Sequence, residues 1–184
     1  MHFTKHAILV AGIVTMASAS PASAKKVDDE KLASDVRDAM TRFEEKDSTF
    51  KKTTELVVGY AIFPEVAKGG FIVGGSGGRG EVYEGGKLIG YGKLSEGTIG
   101  AQVGGQKFSQ IILFKTKSAL NRFKKNRFEL SAQATANAAD QGGAAKAKYA
   151  DGVAIIILPT SGLMADASIG GQKLKFIPLP DSKK

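Results

Sequence analysis

At 184 residues, with 42% hydrophobic and 24% charged residues, the chain is long and apolar enough to bury one core of ordinary domain size. Its 26 Lys and Arg against 18 Asp and Glu leave a formal charge of +8, which favours anionic partners. The absence of cysteine excludes disulfides, thiolate metal sites and cysteine nucleophiles.

Residues 1–24 have the pattern of a secretory signal peptide. Lys5 supplies the positive start, an apolar stretch runs from Ala7 to Ala17, and Ala22-Ser23-Ala24 forms a small-x-small cleavage site before Lys25-Lys26. The apolar run is short for a membrane span. With no Cys after the cut, a lipoprotein anchor is not expected. Cleavage after Ala24 removes both histidines, His2 and His6. The remaining chain, 25–184, is then expected to be a single domain without His, Cys or Trp. Ser-His-Asp triads, histidine acid–base chemistry and His or Cys metal sites are excluded from it.

From Val27 to Lys46 the spacing predicts a helix, with Leu32, Val36, Ala39, Met40 and Phe43 on one stripe and Asp28 or Asp29 as N-cap. A shorter helix is expected over Thr49–Val58. Between Gly69 and Gly105 there are 15 glycines in 37 residues, threaded through Phe71-Ile72-Val73, Val82-Tyr83, Lys87-Leu88-Ile89 and Thr98–Val103. This texture predicts bent, closely approaching antiparallel strands, with turns at Gly77-Gly78 and Gly85-Gly86. Ile111–Phe114 reads as a buried strand, followed by a short helix capped by Thr116 or Ser118 and packed through Ala119, Leu120 and Phe123. Strict alternation over Arg127–Ala138 predicts a long half-buried strand. Asp140–Lys148 reads as a polar loop or short helix. Val153–Leu158 is a buried strand stopped by Pro159, and Leu163–Ile169 with Gln172–Phe176 forms a terminal hairpin. The segment Ala101-Gln-Val-Gly-Gly-Gln-Lys107 is echoed by Ala167-Ser-Ile-Gly-Gly-Gln-Lys173, as for two equivalent strand positions.

Gly75-Ser76-Gly77-Gly78-Arg79-Gly80 satisfies G-x-G-x-x-G, but a dinucleotide site needs a helix to follow, and Glu81-Val82-Tyr83-Glu84 is strand-like. Glu81 and Glu84 border this stretch and are weak candidates for a cation site. No glycosidase-like pair of carboxylates can be picked out. The denser feature is basic: Lys115, Lys117, Arg122, Lys124, Lys125 and Arg127 place six cations in 13 residues without an acid among them. Such a cluster is either a solvated helix face or a patch for anionic headgroups. Aromatic residues do not interleave with it as nucleic acid binding would need.

The stretch from Tyr60 through Phe63-Pro64-Glu65-Val66-Ala67-Lys68-Gly69-Gly70 to Gly80 resembles the signature of the SYLF family, lipid-binding domains also described as the fungal-type actin-binding domain. The likeness continues through Ile99–Gln106, the apolar run to Phe114, the region of Leu130 and Ser161–Ser168. The chain departs from the family pattern at Ser109, where an acidic residue is common, and at Leu158-Pro159. The resemblance implies a lipid-binding, exported bacterial member. The family's phosphoinositide recognition by an N-terminal amphipathic segment has its nearest counterpart in the Val27–Lys46 helix, whose charges are mixed.

The sequence therefore predicts an α+β domain, N-terminal helices packed on a Gly-rich, strongly twisted antiparallel sheet or barrel. The expected function is that of a non-enzymatic periplasmic or secreted protein on anionic phospholipid surfaces. Its lipid-binding residues would be Lys117, Arg122, Lys124, Lys125 and Arg127, with no cofactor, no metal and no nucleic acid. The alternative is a structural or interaction protein of the envelope with a protein partner.

Overall fold

The computed structural model describes residues 21–68, 76–96, 106–126, 128, 130, 137–161 and 172–180. Two helices open it, α1 (Pro21–Lys46) and α2 (Phe50–Leu56). Four strands follow: β1 (Gly59–Lys68), β2 (Ser76–Glu84), β3 (Lys87–Glu96) and β4 (Gln106–Phe114). Helix α3 (Lys117–Lys124) leads to β5 (Asn137–Ala138), β6 (Val153–Ser161) and β7 (Gln172–Pro178).

The strands form one open sheet in the order β5-β6-β4-β1-β2-β3-β7, antiparallel except for the parallel β5–β6 contact. The α+β expectation holds, and of the two forms expected for the strands the sheet is the one observed. It is nevertheless strongly curled. Gln110 on β4 and Gln172 on β7 meet through their side chains at 3.0 Å. Four strand steps separate them, about 19 Å in a flat sheet. Leu130 reaches one edge through its N–H to the Gln172 carbonyl, and Asn137–Ala138 pairs with the other edge at Ile156–Ile157.

The curl separates two cores. Inside lie Phe63, Val82, Leu94, Phe108, Ile112, Phe114 and Phe176, closed at one end by Ala119, Leu120 and Phe123 of α3. Outside, Leu32, Val36, Ala39 and Phe43 of α1 cover Ile62, Ile111, Leu113, Ala154, Ile156 and Leu158. The predicted helical stripe is thus buried, with Met40 at its partly buried edge. Phe43 stacks on Phe50 at 4.8 Å and joins α2 to the same core. The expected close approach by glycine is clearest at Phe63. A Cβ at Gly80 would lie 2.8 Å from the Phe63 ring and 2.2 Å from the Ile62 carbonyl oxygen, and one at Gly92 2.8 Å from the same ring.

Several local expectations change. Helix α1 begins before Asp28 and Asp29, so neither is its cap; Asp29 instead forms an ion pair with Arg79 on β2. Strand β6 continues through Pro159 to Ser161. Pro159 faces Phe108 beside a register shift, where the missing N–H breaks no regular ladder. Of the long alternating strand predicted over Arg127–Ala138, only Asn137–Ala138 is strand among the described residues. Phe128 packs edge-on to Phe114 and Phe123, on the core side that the alternation assigns it. Residues 127, 129 and 131–136, the segments Phe71–Val73, Thr98–Val103 and Leu163–Ile169, and residues 1–20 of the predicted leader lie outside the described residues. Of the internal echo the ends are described: β4 opens at Gln106 and β7 at Gln172, the same Gln of each copy. Among the described residues no helix is long and apolar enough to cross a membrane.

Candidate functional site

Helix α3 carries three of the six cations of the predicted cluster, Lys117, Arg122 and Lys124, and Lys125 caps its end. Its start is held by Thr116, whose side-chain oxygen accepts the Ala119 N–H at 3.2 Å. Its end turns at Asn126, a non-glycine residue with φ of 54°, whose Oδ1 accepts the Phe176 N–H at 2.6 Å. With Ala119, Leu120 and Phe123 facing the core, a 3.6-residue period puts all four cations on the outward half of the helix, Lys125 nearest its crest, Lys117 and Lys124 together on one flank and Arg122 on the other.

Lys124 and Arg122 are engaged within the protein. Lys124 donates to Glu84 Oε2 at 2.9 Å, and Arg122 donates to the Asp151 carbonyl oxygen at 2.8 Å and to Ser118 Oγ at 3.3 Å. Lys115 lies over the Tyr149 ring at 5.3 Å. Lys117 and Lys125 are exposed and have no acidic partner among the described residues. Arg127 lies outside the described residues. Of the five expected lipid-binding residues, Lys117 and Lys125 have no acidic partner among the described residues, and Arg122 and Lys124 are bonded to neighbouring elements.

A second cationic surface escaped sequence reading. Register places Arg79 of β2 opposite Lys93 of β3, and Lys93 opposite Lys175 of β7; Ser95 faces Lys173 in the adjoining row. Inward-pointing Leu94, Leu174 and Phe176 send these residues to the outer face, where α1 reaches Arg79 through Asp29. Arg79 is tied to Asp29 and lies 5.0 Å over the Tyr91 ring. Lys93, Lys173 and Lys175 are exposed without an acidic partner among the described residues. These positions are spread over three strands distant in the chain, so no local window contains them.

The acidic candidates separate. Glu84 is bonded to Lys124, whereas Glu81 is buried on the α1 side and accepts the Tyr83 hydroxyl at 2.5 Å. They do not converge on a cation site, and no cluster of three metal-binding side chains occurs among the described residues. Tyr83 stacks on Tyr60 at 4.9 Å, and burial, with Glu81 beside them, pushes both phenols up from their ordinary value. A cleft of ≈ 450 Å³ between α1 and β1 is lined by Lys31, Asp35, Asp38, Arg42, Pro64 and Glu65. Its carboxylates are at least partly exposed, and Lys31–Asp35 and Lys107–Glu65 ion pairs sit at its rim.

Part of the chain is similar to known proteins. Residues 95–176 match the family model described as Ysc84, Las17-binding protein actin regulator. Beta cell expansion factor A of Aeromonas veronii is 31% identical over 83 residues, 45% of this chain and 32% of that protein, so the match spans about a third of the relative's length. This match to the Ysc84, or SYLF, family model over residues 95–176 agrees with the resemblance read from the motifs.

Proposed function

We propose that this is a non-enzymatic, exported protein of the cell envelope that associates with anionic phospholipid surfaces. The observation that carries the reading is the outward side of α3, where Lys117 near its start and Lys125 at its C-cap are exposed without acidic partners among the described residues. The leader-like residues 1–24 and the formal charge of +8 are consistent with it. Periplasmic location and lipid choice belong to this proposal.

Magnitude shapes it. Each Lys near an anionic bilayer contributes about 1 kcal/mol. Five cations would give roughly 5 kcal/mol, an apparent dissociation constant of about 0.2 mM, whereas two give only tens of millimolar. These two lysines by themselves do not hold a membrane; other contacts must add to them.

Co-sedimentation of the full chain with phosphatidylcholine vesicles, and with equal parts phosphatidylcholine and phosphatidylglycerol, tests the reading. Binding to the anionic vesicles alone, weakened by salt and by Lys117→Glu with Lys125→Glu, is expected. Binding to neither, or equally to both, overturns it in favour of an envelope protein with a protein partner. Lys124 is left unaltered, because reversing it would set two carboxylates together at Glu84.

A further inference from the structure

We propose that the outer face of β2, β3 and β7 is a second contact for anionic lipid headgroups, made by Lys93, Lys173 and Lys175 with Arg79 at its margin. The proposal rests on the membrane reading above and supplies the contacts that α3 lacks.

The register is its foundation. Arg79, Lys93 and Lys175 are directly opposed on three consecutive strands, so their Cβ atoms stand about 5 Å apart from strand to strand. Like charges in that position repel, and folding alone gives no reason for the arrangement. An anionic layer over the face turns the repulsion into attraction by neutralising several cations at once. Arg79 is held by Asp29 and Tyr91, which leaves the three lysines as the available charges.

Shape decides between a small anion and an extended surface. Two clefts lined by described residues, one between α1 and β1 and one beside Asn137–Lys146, lie away from this face. The lysines stand on a strand surface spanning about 10 Å across three strands. At the end of the same outward row of β7, Ile177 is 43% exposed, an apolar side chain beside the cations. Free cations flanking an exposed apolar residue match a headgroup layer with acyl chains beneath it.

Vesicle co-sedimentation of the full chain separates the two surfaces. Removing two cations at about fivefold each predicts that Lys93→Ala with Lys175→Ala binds phosphatidylglycerol-containing vesicles about thirtyfold more weakly than the unaltered chain. Its melting temperature should be unchanged or higher, since opposed like charges are gone. Lys93→Glu gives a second readout: an acid between Arg79 and Lys175 should raise the melting temperature while weakening binding. If either variant binds as well as the unaltered chain, or if Lys93→Glu melts lower, the sheet surface is overturned whatever the α3 variants do. If the unaltered chain does not prefer anionic vesicles, the membrane reading itself falls, and this inference with it.

Discussion

Gln110 on β4 donates its side-chain N–H to the Gln172 side-chain oxygen on β7 at 3.0 Å, with both residues fully buried. The bond ties strands that stand four steps apart in the sheet. The other ends of the two amides, Gln110 Oε1 and Gln172 Nε2, have no partner among the described residues. The pair holds the curl shut while leaving two polar atoms unsatisfied inside an apolar core.

Replacing one partner strands the other. Gln172→Leu or Gln110→Leu alone should cost about 1–3 kcal/mol in urea unfolding, whereas the double variant should cost less than the sum. Strictly additive losses would show that the two amides do not act together.

Asp47 links the α1–α2 junction to the loop before β6. Its carboxylate accepts the Thr49 N–H at 2.8 Å, the Thr49 hydroxyl at 2.7 Å, the Gly142 N–H at 3.0 Å and the Ala144 N–H at 2.6 Å. Burial by itself would raise its pKa. The bonds from Ala144, Thr49 and Gly142 outweigh that and hold it below the ordinary value of 3.8. A depressed carboxylate stabilises the fold fully above its unfolded value, and that stability is lost as pH falls through the lower folded value. Stability should therefore decline as pH drops below about 4. Asp47→Asn should flatten the decline and cost about 1–3 kcal/mol at neutral pH. Equal acid sensitivity in the variant, followed by circular dichroism, would place the titrating group elsewhere.

Gly77 and Gly80 lie on the same strand and should respond oppositely to alanine. At Gly80 the new methyl meets the Ile62 carbonyl oxygen at 2.2 Å, which cannot move without breaking β1–β2 pairing. At Gly77 the nearest atom is 3.5 Å away, an ordinary contact. Gly80→Ala should lose about 3 kcal/mol, whereas Gly77→Ala should be neutral or gain up to about 1 kcal/mol from a less flexible unfolded chain. Thermal melts of the two variants side by side check the contrast.

Much of this was legible in the sequence for a local reason. The α1 stripe from Leu32 to Phe43, the apolar runs Ile111–Phe114 and Val153–Leu158 and the Thr116 cap each declare themselves within one turn or one strand. Of the Arg127–Ala138 alternation, Phe128 and Leu130 pack toward the core as the period implies and Asn137–Ala138 is strand, while residues 127, 129 and 131–136 lie outside the described residues. The basic cluster was visible, but not its internal bonds: Glu84 lies 40 residues before Lys124, and Asp151 lies 29 after Arg122.

The sequence by itself determined the α+β class, the main helices and most strands, the exclusion of histidine and cysteine chemistry from residues 25–184, and the family resemblance. These follow from composition, hydrophobic period and contiguous motifs, all short-range properties of the chain. Tertiary structure alone decided which cations remain free, that Glu81 and Glu84 part company, and that Arg79, Lys93 and Lys175 form one row. Strand register and sheet curl make those choices, because they bring together side chains that the covalent chain keeps as many as 96 positions apart.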